Sequence, residues 1–452
     1  MKKTIEKLTN AVGALGYAFA EVRPKTEKNK KDQTLDITFE IDEGPRVYIE
    51  RIDIVGNDRT RDEVIRREMR VHEGDAYNTE KLIKSEKEIK DLGYFKKAEL
   101  KTEQGSAPDR ARVIINVEEQ PTGELNFAGG YSTLDGPLGQ IGFTERNLMG
   151  KGQIVHGSVT IAKRRQEFDL GFIEPYFLNR QLAAGADIFK ISSSRLSSYK
   201  QNSEGVNFSL GYHLSDPLTQ RLEYSLHKDY IDQISKTASQ IIREQAGKTV
   251  TSSIGQTLSF DKRDSRIETT SGYILSLSNT FAGVGGSIKY LNNSLSGTYY
   301  YSPIEDVVLN FRAKGGVILK TGKTIRIVDS YILGESTFRG FEWGGLGPRD
   351  STTGDFLGGT RYWMATAEAL FPIGLPNEFG IKGATFIETG SLWKAGQITS
   401  VVQDTKSVRA SVGIGLSWSS PMGPLRIDYA IPVKKEKFDR TQKIVFGFST
   451  RF

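Results

Sequence analysis

From Glu124 to its C-terminus the chain changes face with every residue, and this alternation limits the folds open to it more than any other feature. In residues 410–418, Val412, Ile414, Leu416 and Trp418 are bulky and apolar, while Ser411, Gly413, Gly415 and Ser417 are small. In residues 444–452 the even positions again carry most of the bulk, with Ile444, Phe446, Phe448 and Phe452. A period of two belongs to extended strands with unlike faces. About 16 such segments follow one another, separated by Gly, Ser, Asn and Asp; the first spans about 124–132 and the last about 441–452. Many run about 9–13 residues, the length a tilted strand needs to cross a hydrocarbon core. Lipid supplies no partner for an unpaired backbone edge, so spanning strands must close into a barrel, and in bacterial outer membranes the strand number is even. A soluble propeller is the competing all-β reading, but no blade repeat is visible and the strands are long for one.

Composition agrees. No run of about 18 apolar residues occurs in the 452, which excludes a transmembrane helix but not a membrane barrel. A mean hydropathy of −0.39 suits alternating strands. Cysteine is absent, so there is neither a disulfide framework nor a thiolate metal site. Net charge is +6 with both signs interspersed and no basic block, which gives nucleic-acid binding no support. The N-terminus begins with lysines but lacks a continuous apolar region and a cleavage site. The chain is therefore expected to start inside a domain.

Before Pro121 the pattern is different. Leu15-Gly16-Tyr17 closes one amphipathic helix and Leu92-Gly93-Tyr94 closes another, 77 residues later; each precedes two strands. Between them lie a strand ending in Gly56-Asn57 and two helices, the second with Asn78 as its expected N-cap. The repeating unit is β-α-α-β-β. It is complete over residues 46–120 and reduced to its last helix and two strands over 1–45. These helix ends and this turn, in order and repeated, resemble a POTRA domain.

The strand series is interrupted over 321–360. This stretch holds Phe338-Arg339-Gly340-Phe341-Glu342-Trp343-Gly344-Gly345. An R-G-F tripeptide in a long glycine-rich loop about four strands before the end resembles the signature of the BamA/Sam50 superfamily. Ile173-Glu174-Pro175-Tyr176-Phe177 is similar to that family's turn after an early strand, and residues 418–425 to a hairpin near its C-terminus. A terminal aromatic, here Phe452, resembles the signal strand of outer-membrane proteins. Gly447 lies further from the end than the family's strand-bending glycine.

The resemblance implies an all-β transmembrane barrel of about 16 antiparallel strands (121–452) preceded by small α/β POTRA domains (1–45 and 46–120). It implies that loop 321–360 folds into the lumen, where Arg339, Gly340 and Phe341 meet an acidic wall. An arginine in a narrow lumen needs a carboxylate, because a buried unpaired charge is costly. Asp428 ranks first as partner because its parity opposes Leu425, Ile427 and Tyr429. Glu388 ranks second: it sits where the family has an acidic lumen residue, but its parity matches Phe386. Glu368 is third.

The function the resemblance implies is non-enzymatic insertion of β-barrel proteins into the bacterial outer membrane, with the POTRA domains in the periplasm. The expected partners are unfolded outer-membrane clients, accessory outer-membrane lipoproteins, periplasmic chaperones and the lipid bilayer. A lateral gate is expected between the first strand (Phe127, Gly129, Gly130) and the last (Phe446, Gly447, Phe448, Phe452), weakened by its glycines. Positions near Phe127 and near Phe446 are expected to face each other across it. No cofactor or metal is expected. His72, His156, His213 and His227 fall in no metal spacing, and no nucleophile elbow or phosphate loop occurs. Gly129-Gly130 lies inside an alternating strand rather than in a phosphate cradle, and the serine-rich segment 191–198 reads as a polar loop. A two-partner secretion or autotransporter-assembly translocator of the same superfamily is the alternative.

Overall fold

The computed structural model describes residues 2–29, 34–266, 268–322, 324–420 and 423–448. They form two compact units, one holding residues up to Glu124 with Glu145–Ile154, the other Leu125–Thr144 with Val155 onward.

The first unit begins with α1 (Lys2–Gly13) and a hairpin of β1 (Glu21–Asn29) and β2 (Thr34–Asp42). Then follow β3 (Tyr48–Val55), α2 (Asp62–Arg66), α3 (Thr79–Asp91), β4 (Phe95–Gln104) and β5 (Arg110–Glu119). The last three strands form one sheet in the order β3-β5-β4, with β3 parallel and β4 antiparallel to β5. Asn78 caps α3, its side chain accepting the Lys81 N–H at 2.9 Å. Alternation in β5 sends Ala111, Val113, Ile115 and Val117 inward, against Val64, Ile65, Leu82 and Ile89 of the two helices.

A 16-stranded sheet, counted among the described residues, makes up the barrel. In chain order its first eight strands are β6 (Gly123–Ser132), β7 (Gly136–Leu148), β8 (Gln153–Ala162), β9 (Arg165–Glu174), β10 (Leu182–Ser193), β11 (Lys200–Ser215), β12 (Leu218–Asp232) and β13 (Gly247–Asp261). A short helix, α4 (Gln240–Arg243), precedes β13. Then come β14 (Gly272–Gly286), β15 (Tyr290–Ile304), β16 (Val307–Lys320), β19 (Arg361–Pro372), β20 (Ile381–Trp393), β22 (Arg409–Ser420), β23 (Gly423–Lys434) and β25 (Ile444–Phe448). Four two-residue strands lie in loops among the described residues: β17 (Gly340–Phe341), β18 (Arg349–Asp350), β21 (Val402–Gln403) and β24 (Thr441–Gln442).

Each barrel strand neighbours the next in sequence, so the sheet is a meander whose first and last strands lie at its two ends. The alternation sorts side chains as the period of two requires. Leu125, Phe127, Ile414, Leu416, Trp418, Ile427, Tyr429 and Ile444 stand on the outer face, with Phe127 73% exposed, while Asp428, Ala430 and Val445 face inward and are buried. A continuous apolar exterior over a polar interior suits a barrel surrounded by lipid.

Two expectations need correction. The last strand is shorter than 441–452. Thr441 and Gln442 leave the barrel sheet and pair with Phe341 and Gly340, and the barrel strand begins at Ile444. Phe452 lies outside the described residues. Phe127 and Phe446 also do not face one another: the Thr133 N–H donates to the Phe446 carbonyl at 3.0 Å, so Thr133 is opposite Phe446.

Candidate functional site: the loop inside the barrel

Loop 321–360 is buried because it carries its own apolar cluster. Leu333, Phe338, Phe341, Leu346 and Phe356 pack with Met364 and Leu392 of the wall. Phe338 and Phe341 meet edge to face with ring centroids 5.3 Å apart. Gly340 has φ +93°, and a Cβ there would come within 3.1 Å of Ser411 Cβ, so glycine is what allows the tripeptide to lie against β22 and β23.

This placement points Arg339 at three carboxylates. Its backbone N–H donates to Glu388 Oε2 at 2.6 Å, and Nε and Nη2 reach Glu388 Oε1 at 3.0 and 2.7 Å. Nη2 also lies 3.0 Å from Glu368 Oε2, and Nη1 lies 3.5 Å from Asp428 Oδ1. The guanidinium stacks on the Phe386 ring, 3.3 Å from its centroid. All three candidate acids therefore surround Arg339, but in a different order from the sequence ranking. Glu388 takes three of the bonds. Asp428 is held chiefly by Arg426, which donates Nε to Oδ2 at 2.7 Å and Nη2 to Oδ1 at 3.0 Å. Arg426 also reaches Glu368 Oε1 at 3.0 Å. Two arginines and three carboxylates thus form one network across β19, β20 and β23, and apart from half-buried Arg426 all of its members are buried. The Glu388 parity that left its face ambiguous has a simple cause: Phe386 faces the lumen too, as the platform for the arginine.

Sequence reasoning did not find two further anchors. At the start of the loop, buried Arg326 pairs with Asp329 at 2.7 Å and with Asp229 of β12 at 2.8 Å. Near its end, Asp350 accepts the Ser239 hydroxyl at 2.6 Å, and Asp355 accepts the hydroxyl of Ser198, from the serine-rich segment, and the Ser239 N–H. Partners this far apart in sequence leave no local signal; the only hint was acids and arginines in otherwise apolar surroundings.

At the ends of the sheet, Gly129 and Gly447 both have extended backbone and are not demanded by packing. A Cβ on Gly447 would meet nothing within 4 Å, and one on Gly129 only the Leu138 carbonyl at 4.0 Å. Gly130 stands next to Gly129 in β6, exposed. Phe446 stands opposite Ile427 and Phe448 opposite Leu425 in the β23–β25 ladder.

The profile of the Omp85 superfamily domain matches residues 147–452. The chain belongs to the Omp85 superfamily. The POTRA profile (surface antigen variable number repeat) matches residues 1–44 and 47–120 of this Omp85 chain. Outer membrane protein assembly factor BamA of Neorickettsia risticii is 32% identical over 98% of the chain and 60% of that protein. BamA of Neisseria meningitidis serogroup B is 26% identical over all of the chain and 62% of that protein. The chain thus spans about three fifths of these relatives. Sorting and assembly machinery component 50 homolog B of Xenopus laevis is 24% identical, with 91% of the chain and 92% of that protein covered. Among solved structures, BamA from Haemophilus ducreyi lacking POTRA domains 1–3 superposes with a TM-score of 0.83 at 23% identity, covering 98% of the chain and 92% of the other. CdiB from Acinetobacter baumannii superposes with 0.59 at 13% identity, over 98% of the chain and 78% of the other. These likenesses establish an Omp85 barrel with POTRA domains before it.

Proposed function

We propose that this chain inserts β-barrel proteins into the bacterial outer membrane without chemistry of its own, by opening laterally between β6 and β25. The BamA and component 50 relatives favour assembly, in agreement with the reading from the R-G-F loop. The observation that carries the lateral route is the state of the last strand. Its barrel ladder starts only at Ile444, because Thr441 and Gln442 are engaged by the loop, and among the described residues it and β6 end the sheet rather than pairing as neighbours. An edge with so little pairing across it is the easiest to free. A client's strand can pair there, so that backbone hydrogen bonding and apolar burial drive folding and no nucleotide is needed. The POTRA domains would lie in the periplasm and gather unfolded clients, with chaperones delivering them and lipoproteins assisting.

A disulfide lock tests this reading. Ser132 and Gly447 flank the Thr133–Phe446 bond as the next antiparallel pair, where Cα atoms approach to roughly 4.5 Å if that pair is not hydrogen-bonded. Position 447 has room for a side chain, and the chain has no competing cysteine. Oxidised S132C/G447C protein is expected to keep its barrel and lose client insertion in proteoliposomes, with reduction restoring it. Undiminished insertion by the locked protein rejects lateral opening. The secretion alternative predicts instead that the locked barrel still passes a substrate through its lumen.

A further inference from the structure

The two edges of the barrel sheet are joined not only to each other but through the loop. The Thr133 hydroxyl, just beyond β6, donates to Glu335 Oε1 at 2.5 Å. The Glu335 N–H donates to the Phe341 carbonyl at 2.7 Å, and Phe341 pairs with Thr441, just before β25. A continuous run of hydrogen bonds therefore leads from the first strand to the last by way of Glu335. On either side of it are second contacts. Asp135 takes both Arg195 Nε (2.7 Å) and Nη2 (2.6 Å), and the same guanidinium lies over Trp343 of the loop, 5.6 Å from the ring centroid. The Glu342 N–H donates to the Arg440 carbonyl at 3.1 Å, and the Arg440 N–H to the Gly345 carbonyl at 2.8 Å.

Glu335 itself is an unusual residue. It is 3% exposed and has φ +53°, a conformation a β-carbon disfavours. A non-glycine residue held this way, with a buried carboxylate aimed at another strand's hydroxyl, persists only where its surroundings over-determine it.

From this geometry we infer that loop 321–360 is a clasp across the seam and that Glu335 is the positioning residue carrying its grip to the first strand. Arg339 fixes the loop to the wall; residues 340–345 hold the segment before β25; Glu335 holds the segment after β6. Separating the strands at this end requires the Glu335–Thr133 bond to break. The clasp would regulate the lateral opening proposed above, and its functional consequence rests on that reading, but its existence does not.

Spin labels on L134C and K443C, in the otherwise cysteine-free full chain, report the separation of the two segments. Wild type is expected to give a short, narrow distance distribution. Thr133→Val removes the donor hydroxyl, and with it the 3.3 Å contact the same hydroxyl makes to the Phe446 carbonyl, and should lengthen and broaden it. Glu335→Ala leaves that direct contact in place and should still lengthen it, and the double variant should do no more than Thr133→Val alone, because each single change already deletes the Glu335–Thr133 bond. Glu335→Gln keeps an acceptor and should retain the wild-type distribution. Heat-modifiable migration on gels verifies that each barrel is folded. Distributions unchanged in both Thr133→Val and Glu335→Ala overturn the clasp, whatever insertion does. A lengthened distance with an insertion rate unchanged from wild type leaves the clasp standing and removes it from the control of the opening proposed above.

Discussion

Arg409 and Asp439 face each other with both side chains wholly withdrawn from solvent, Nε 3.0 Å from one carboxylate oxygen and Nη2 3.2 Å from the other. Arg409 opens β22 and also donates to the Ser407 carbonyl at 2.9 Å; Asp439 also accepts the Glu436 N–H at 2.8 Å. The pair thereby fixes the segment between β23 and β24, the stretch that the loop holds away from the barrel ladder. Removing one member of a buried pair leaves the other charge unsatisfied, a cost of about 3–5 kcal/mol. Asp439→Ala is therefore expected to loosen residues 435–443 while the barrel stays assembled. Hydrogen exchange should show it: the Arg440 amide, bonded to Gly345, exchanges faster and the strand amides of β22 do not. Equal protection of Arg440 in the variant argues against this role.

The network around Arg339 predicts an order of effects. Glu388 accepts from both the backbone and the side chain of Arg339, whereas Asp428 keeps its Arg426 partner and Glu368 is shared between the two arginines. Thermal unfolding of the barrel should fall most for Glu388→Gln, less for Glu368→Gln and least for Asp428→Asn. Arg339→Ala leaves three carboxylates with one arginine, and should cost roughly 3–5 kcal/mol where the site is dry and less where lumen water enters. Arg339→Glu should abolish insertion. Adding Glu388→Arg should restore part of it, and adding Asp428→Arg should not. Rescue by Asp428→Arg instead would reinstate the parity ranking.

Strand number and the β-α-α-β-β unit were readable because each rests on local pattern, and the inward course of the R-G-F loop because the tripeptide resembles a family signature. The alternation 412-414-416-418 needs only the pleat, and Asn78 needs only the three residues after it. Parity failed where one rule met an exception. Parity shared with apolar Phe386 leaves the face of Glu388 ambiguous, and Phe386 lies inside because a guanidinium stacks on it. The last strand was read too long because Thr441 and Gln442 have ordinary strand chemistry; what removes them from the barrel is a competing partner a hundred residues upstream. Arg326–Asp229 and Arg409–Asp439 were missed for the same reason: a buried charge advertises that it needs a partner, but not which one.

The POTRA unit over residues 46–120 carries its own core, from Val47 to Val117, and should melt cooperatively as an isolated fragment. Residues 1–44 should not, since Leu35, Ile37 and Ile41 of β2 stand exposed on its hairpin. The fragment should also lose stability in acid. The Arg112 guanidinium, 2.7 Å away, holds the Asp53 carboxyl below its ordinary value against the opposing effect of burial, and Arg51 adds to it. The Ser106 N–H does the same for Glu50. Carboxyls with lowered native pKa stabilise fully above their unfolded values, about 4, and that contribution disappears as pH falls through the lower native values. Circular-dichroism melts from pH 6 to 2 on wild type and Asp53→Asn check it, the variant showing the shallower decline. A parallel decline in both would remove Asp53 from the account.

The last prediction concerns Gly340. Its φ of +93° lies where a β-carbon is disfavoured, and an added methyl would sit 3.1 Å from Ser411 Cβ and 3.4 Å from Pro432 Cγ. The conformational cost alone is about 1–2 kcal/mol, and the contacts with β22 and β23 add to it. Two relaxations are open. The loop can keep Arg339 on Glu388 and swing residues 340–341 off Thr441 and Gln442, or it can keep that pairing and draw Arg339 off the wall. The first loses two residues of strand pairing, a short ladder at its edge. The second separates a buried guanidinium from three carboxylates, which costs more. Gly340→Ala should therefore release Thr441 and Gln442 while Arg339 stays in place. Exchange of the 441–442 amides should accelerate, while the Arg339 amide, bonded to Glu388, should stay protected. Once freed, residues 441–442 no longer tie the segment before β25 through the loop to Thr133, so oxidation of the S132C/G447C pair should go slower in Gly340→Ala than in its parent. Faster oxidation would mean that the loop competes with the seam more than it supports it.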